Sequence, residues 1–145
     1  ASSAAQKASH TMSMFSIFNV SGSAISAQSQ RLNVVASNLA NVDAVAGPDG
    51  QAYKARQVVF QTAAMGSDSA AGVRVSGMSE SNVPGRRVHD PAHPSADEQG
   101  YVTHSNVNAV EEMVNMISAS RSYQNNVEVM NTAKSLLLKT LQMGQ

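Results

Sequence analysis

From Val107 to Gln142 the chain holds no Pro and no Gly, and its apolar residues recur at alternating spacings of three and four. Met113, Met116, Tyr123, Val127, Met130, Leu137 and Leu141 form the series, with Ser120 and Lys134 at the two positions that break it. Val110, Val114, Ile117 and Leu138 widen the stripe. That pattern is the seam of a bundle or coiled-coil-like helix. At 1.5 Å per residue the helix would run roughly 50 Å. A small globular core cannot cover such a length, so the helix needs a long partner.

A second helical pattern, from about Ser21 to Val42, supplies one. Ile25, Leu32 and Leu39 are spaced by sevens, with Val35 and Val42 on the same seam. Ser21 or Ser23 can cap its start. Its opposite face carries Ser26, Ser29, Gln30, Asn33, Ser37 and Asn41, and Arg31 is the sole charge in the segment. The C-terminal helix has the same character, with Asn115, Ser118, Ser120, Asn125, Asn126 and Asn131 at polar positions. Solvent-facing helices usually carry Glu and Lys. Amide and hydroxyl faces suit close packing against other helices. Charges on the C-terminal helix are ordered, with Glu111 and Glu112 early and Lys134 and Lys139 late, which complements the macrodipole.

Between the helices the period changes. Gly47-Pro48-Asp49-Gly50 is a turn signal. Gln57 to Gln61 and Gly72 to Met78 read as strands, separated by a small-residue loop from Met65. Arg86 to His89 and Gly100 to Val102 read as shorter strands around the Asp90-Pro91-Ala92-His93-Pro94 turn. This section is poor in apolar residues and buries too little to stand alone.

Several functions are excluded. The 145 residues carry no net charge and only 14% charged residues, which argues against nucleic acid. Without Cys there is no disulfide framework, thiolate metal site or thiol nucleophile. No apolar run approaches a membrane span, so direct membrane insertion is not expected. Met14 to Val20 is too briefly apolar for a cleaved signal peptide. His89 and His93 are four apart, but Pro91 and Pro94 favour a loop over a helical metal pair, and neither Asp97 nor His104 completes a ligand spacing. There is no Gly-x-Ser-x-Gly elbow, and Gly47 to Lys54 lacks phosphate-loop spacing. Arg86-Arg87 is too short for a nucleic-acid patch, and the Met stripe reads as adaptable packing. No catalytic residues, cofactor or metal ligands emerge.

Particular residues carry a family likeness. Arg31-Leu32-Asn33-Val34-Val35-Ala36-Ser37-Asn38-Leu39-Ala40-Asn41 resembles the N-terminal signature of bacterial flagellar basal-body rod and hook proteins. Asn106-Val107-Asn108, Glu111-Glu112-Met113-Val114 and Ser120-Arg121-Ser122-Tyr123-Gln124 resemble their C-terminal signature, which Lys134 to Gln142 continues. The likeness runs from about Met12 to Gln145, with departures at Ala44 and Asn125. It implies a structural subunit of the rod, a hollow axial tube that spans the periplasm and transmits torque from motor to hook. It further implies export by the flagellar type III apparatus without a cleaved signal peptide. Partners would be further copies of the chain and neighbouring rod subunits.

The expected fold is mainly α: two long terminal helices packed as a coiled-coil-like hairpin, with a small irregular β-containing middle section. Residues 12–42 and 107–145 would form the rod core and residues 43–106 the middle section. Residues 1–11 are pattern-free and are read as upstream sequence outside the fold. The expected assembly interface comprises Ile25, Leu32, Asn33, Val35, Asn38, Leu39 and Asn41 on the first helix. On the second it comprises Met113, Met116, Ile117, Tyr123, Asn126, Val127, Met130, Leu137 and Leu141. The competing expectation is a soluble coiled-coil adaptor that binds a partner through its middle section. An adaptor hairpin buries one seam per helix and keeps a charged outside.

Overall fold

The computed structural model describes residues 2–64 and 71–144. Its elements are α1 (Ser2–Ala40), β1 (Arg56–Ala64), β2 (Ala71–Glu80), β3 (Arg87–His89), β4 (Tyr101–Thr103) and α2 (Ala109–Met143). The chain is mainly α, with a β-containing middle. The expected loop at residues 65–70 lies outside the described residues.

Helix α1 begins at Ser2, well before the expected start near Ser21. The stretch set aside at residues 2–11 is therefore helical. Its Ala, Gln and Lys residues are good helix formers, and no Gly or Pro interrupts the chain before Gly22. Ser21 is buried mid-helix and caps nothing. The helix ends where the Asn41 side chain donates to the Ser37 carbonyl at 2.8 Å, satisfying one of the last-turn acceptors. Helix α2 is capped by Asn108, whose Oδ1 accepts from Glu111 N at 3.1 Å. Strands β1 and β2 are longer than the apolar runs that suggested them, extending to Ala64 and to Glu80, and they pair in a two-stranded sheet.

The chain forms two compact units, each drawing on both helices and the middle section. The first comprises Ala1–Ser29, Phe60–Ser76 and Ser120–Gln145. Here Ser23 Oγ donates to the Val20 carbonyl at 2.7 Å and accepts from Val73 N at 3.0 Å, so one hydroxyl ties β2 to α1. A Cβ on Gly22 would sit 3.5 Å from Met130 Cε, so the two helices touch at a residue with no side chain. Ser21, Ala27, Gly72 and Ala133 are buried in this unit.

The second unit comprises Gln30–Val59 and Gly77–Ala119. Its β3–β4 hairpin is antiparallel, with Val88 opposite Val102 and His89 opposite Tyr101. Residues 44–46 run alongside, through Ala46 N to the Thr103 carbonyl and Ser105 N to the Ala44 carbonyl. Gly85 is required where the chain crosses, since a Cβ there would overlap the His104 carbonyl oxygen. Asp97 closes the hairpin turn by accepting from Tyr101 N and Gln99 N, both at 2.9 Å, and by pairing with Arg87 at 3.1 Å. The Tyr101 N–H first, then Gln99 and Arg87, hold its carboxyl below the usual range. Gly100 follows with φ +84°, a conformation open to glycine.

Candidate assembly surface

Burial along the helices runs against size. On α2 the buried positions are Glu112, Ala119 and Ala133, and they share one heptad with the half-buried Asn126. Among the described residues of α1 they are Ser21, Ala27, Val35 and Asn38. The inward face is thus built from small and polar residues, which lets backbones approach closely. Large apolar residues are left on the outside. Val110, Met113, Val114 and Ile117 are 71, 54, 60 and 57% exposed. Leu136, Leu138 and Leu141 are exposed further along, as are Phe15 and Ile17 on α1. Exposed apolar patches of this kind mark protein interaction sites.

The residues expected at the interface separate into three groups. Asn33, Met113, Ile117, Tyr123 and Leu141 are exposed. Ile25, Leu32, Leu39, Asn41, Met116, Asn126, Val127, Met130 and Leu137 are half-buried. Val35 and Asn38 are buried within their own chain. Asn126 spends its amide on the Ser122 carbonyl of its own helix at 2.7 Å.

Asn38 is the centre of a polar cluster in the second unit. Its Oδ1 accepts from Tyr53 OH at 2.8 Å and from Arg56 N at 3.0 Å. Its Nδ2 donates to the Arg56 carbonyl at 2.8 Å and to Glu112 Oε2 at 3.0 Å. Ser37 Oγ lies 3.2 Å from the same Tyr53 hydroxyl. Asn106 does comparable work nearby, accepting from Ala55 N and donating to the Ser81 and Val83 carbonyls. Ser105, also buried, donates to the Val42 carbonyl at 2.7 Å. Tyr53, Ser105, Asn106 and Glu112 were absent from the expected site. Uncharged polar residues flanking helix ends were the available signal. Glu112 has the position of a macrodipole partner in the sequence, and its burial has no signature there.

Among the described residues no group of His, Cys, Asp and Glu could hold a metal ion, and no helix is long and apolar enough to cross a membrane. What the surface offers is a run of exposed large apolar side chains along α2.

Comparison with known proteins points the same way. Residues 18–48 match the family model described as flagella basal body rod protein. Residues 98–143 match the model for the C-terminal region of flagellar basal body rod FlgEFG proteins. The flagellar basal-body rod protein FlgC of Yersinia enterocolitica is 60% identical over 134 residues, covering 92% of this chain and 100% of that protein. FlgC of Escherichia coli O157:H7 is 58% identical and that of Salmonella typhimurium 56%, each over the same shares.

Proposed function

Because the chain belongs to the FlgC family of flagellar basal-body rod proteins and is a structural subunit of that rod, we propose that it assembles through the exposed apolar stripe of α2. Val110, Met113, Val114 and Ile117 dock on neighbouring rod subunits and on further copies of the chain. The stripe's exposure is the observation that carries this reading. Large apolar side chains left in water on a structural subunit gain their burial free energy on assembly, about 1.5–3 kcal/mol each when fully covered.

In this reading residues 12–42 and 107–145 form the rod core as a coiled-coil-like hairpin, and residues 43–106 face outward. Copies build a hollow axial tube across the periplasm that carries torque from motor to hook. The subunit reaches that position through the flagellar export apparatus. Family membership supports these finer points. The exposed stripe speaks against a self-sufficient adaptor hairpin, which would keep large apolar residues inside and charge outside.

Ile117→Asp and Met113→Asp test the reading. Each would carry a carboxylate into an apolar contact, at a cost of several kcal/mol if unpaired. Rod assembly and swimming should be lost while the isolated subunit is unharmed, since both positions are exposed in it. Normal basal bodies in both variants would remove the stripe from the interface.

A further inference from the structure

We propose that the Asn38–Glu112 pair is a positioning device that sets the rotation of α2 and keeps its apolar stripe outward. Helix α2 is turned the wrong way for a chain that lives alone. At about 100° per residue, Val110, Val114 and Ile117 lie roughly 140–200° around the helix from Glu112, and Ala119 lies within roughly 20° of it. Burial follows that geometry, with Glu112 and Ala119 inward and the three large apolar residues outward. The hydrophobic effect favours the opposite rotation. Some interaction must hold the polar side in.

Asn38 has the partners to do so. It is fully buried, and its side chain holds four hydrogen bonds, to Tyr53 OH, to the amide and carbonyl of Arg56, and to Glu112. Two of those groups are backbone, so the amide is fixed in place and its orientation is set, with Nδ2 toward α2. The partner, Glu112, is 9% exposed as a residue and sits in the first turns of a helix already capped by Asn108. Rotating α2 to bury the stripe would strand an Asn38 N–H and expose the surroundings of a carboxylate that now has a donor. The pair therefore holds the stripe ready for a neighbour, with no rearrangement required at docking. What the stripe docks on rests on the rod reading above; the orientation of α2 does not.

The pair has a direction, amide donating and carboxylate accepting, and that direction can be reversed. Asn38→Asp keeps the side-chain shape and the acceptor used by Arg56 N and Tyr53 OH. It removes both Nδ2 donations and sets two carboxylates against each other. Adding Glu112→Gln restores a donor, now on the α2 side. In a strain carrying only the variant copy, Asn38→Asp should abolish swimming and basal-body recovery, and Asn38→Asp with Glu112→Gln should recover part of both, because the contact to α2 is rebuilt while the Arg56 carbonyl still lacks its donor. If Asn38 acted by packing alone, the isosteric Asn38→Asp would swim normally, and the proposal would be overturned. A double variant as immotile as the single would overturn it as well. Ile117→Asp, measured beside them, reports on the rod reading separately. If it is immotile while Asn38→Asp swims, only the positioning role fails.

Discussion

Asn106→Ala is the sharpest probe of how the middle section is attached. The Asn106 side chain accepts from Ala55 N at 2.6 Å and donates to the carbonyls of Ser81 at 3.1 Å and Val83 at 2.8 Å. Ala55 also accepts from Ser81 N at 2.9 Å, so one side chain clamps the entry to β1 and the segment leaving β2. Truncation removes three hydrogen bonds, each worth about 0.5–1.5 kcal/mol net. The site is half-buried, so water replaces part of the loss and about 2–3 kcal/mol remains. Amide hydrogen exchange at Ala55 reads this locally. A loss of that size accelerates exchange roughly 30- to 140-fold, since about 1.4 kcal/mol is a factor of ten. Asn106→Asp keeps the acceptor and loses both donors, so Ala55 should stay better protected than in the alanine variant. Exchange at Ala55 unchanged by Asn106→Ala would refute the clamp.

Three further outcomes are expected. Gly85→Ala should lower the thermal midpoint, at about 1–3 kcal/mol for forcing a Cβ against the His104 carbonyl, which is backbone and cannot yield; an unchanged midpoint would contradict it. Ser23→Ala should cost about 1 kcal/mol by releasing Val73 N, seen as faster exchange at Val73, and normal exchange there would mean the hydroxyl is idle. Asp97 has a folded-state pKa below its unfolded value, so its contribution is fully present above the ordinary aspartate pKa of about 3.9 and is lost as pH falls through the lower folded value. Asp97→Asn should remove that acid sensitivity from the β3–β4 hairpin, and an NMR titration placing Asp97 at or above the ordinary value would contradict the assignment.

Both helices were legible in the sequence because their apolar periodicity is long and no Pro falls within it. Strands β1 to β4 were legible because turn residues bracket them. The extent of α1 was not, since residues 2–11 carry no apolar pattern and only their helix propensity speaks for them. Which face of α2 turns inward was not legible, for a physical reason. Periodicity locates an apolar stripe and says nothing of whether the chain's own partner or a neighbour covers it. Met113 and Ile117, read as seam, face outward, while Glu112 and Ala119 face in. Asn38 was identified among the signature residues, but its four partners come from segments far apart in sequence, and no spacing rule connects residue 38 to residue 112.

In the assembled rod the outward stripe of α2 should be covered. The chain has no cysteine, so Ile117→Cys provides a unique thiol at a site that is 57% exposed in the single chain. Maleimide labelling of that thiol should be rapid in the purified subunit and blocked in intact basal bodies. A cysteine at exposed Glu98 in the β3–β4 turn, on the part read as facing outward, serves as the control for reagent access. Equal labelling of Ile117→Cys in subunit and basal body, with the control reactive in both, would contradict the account.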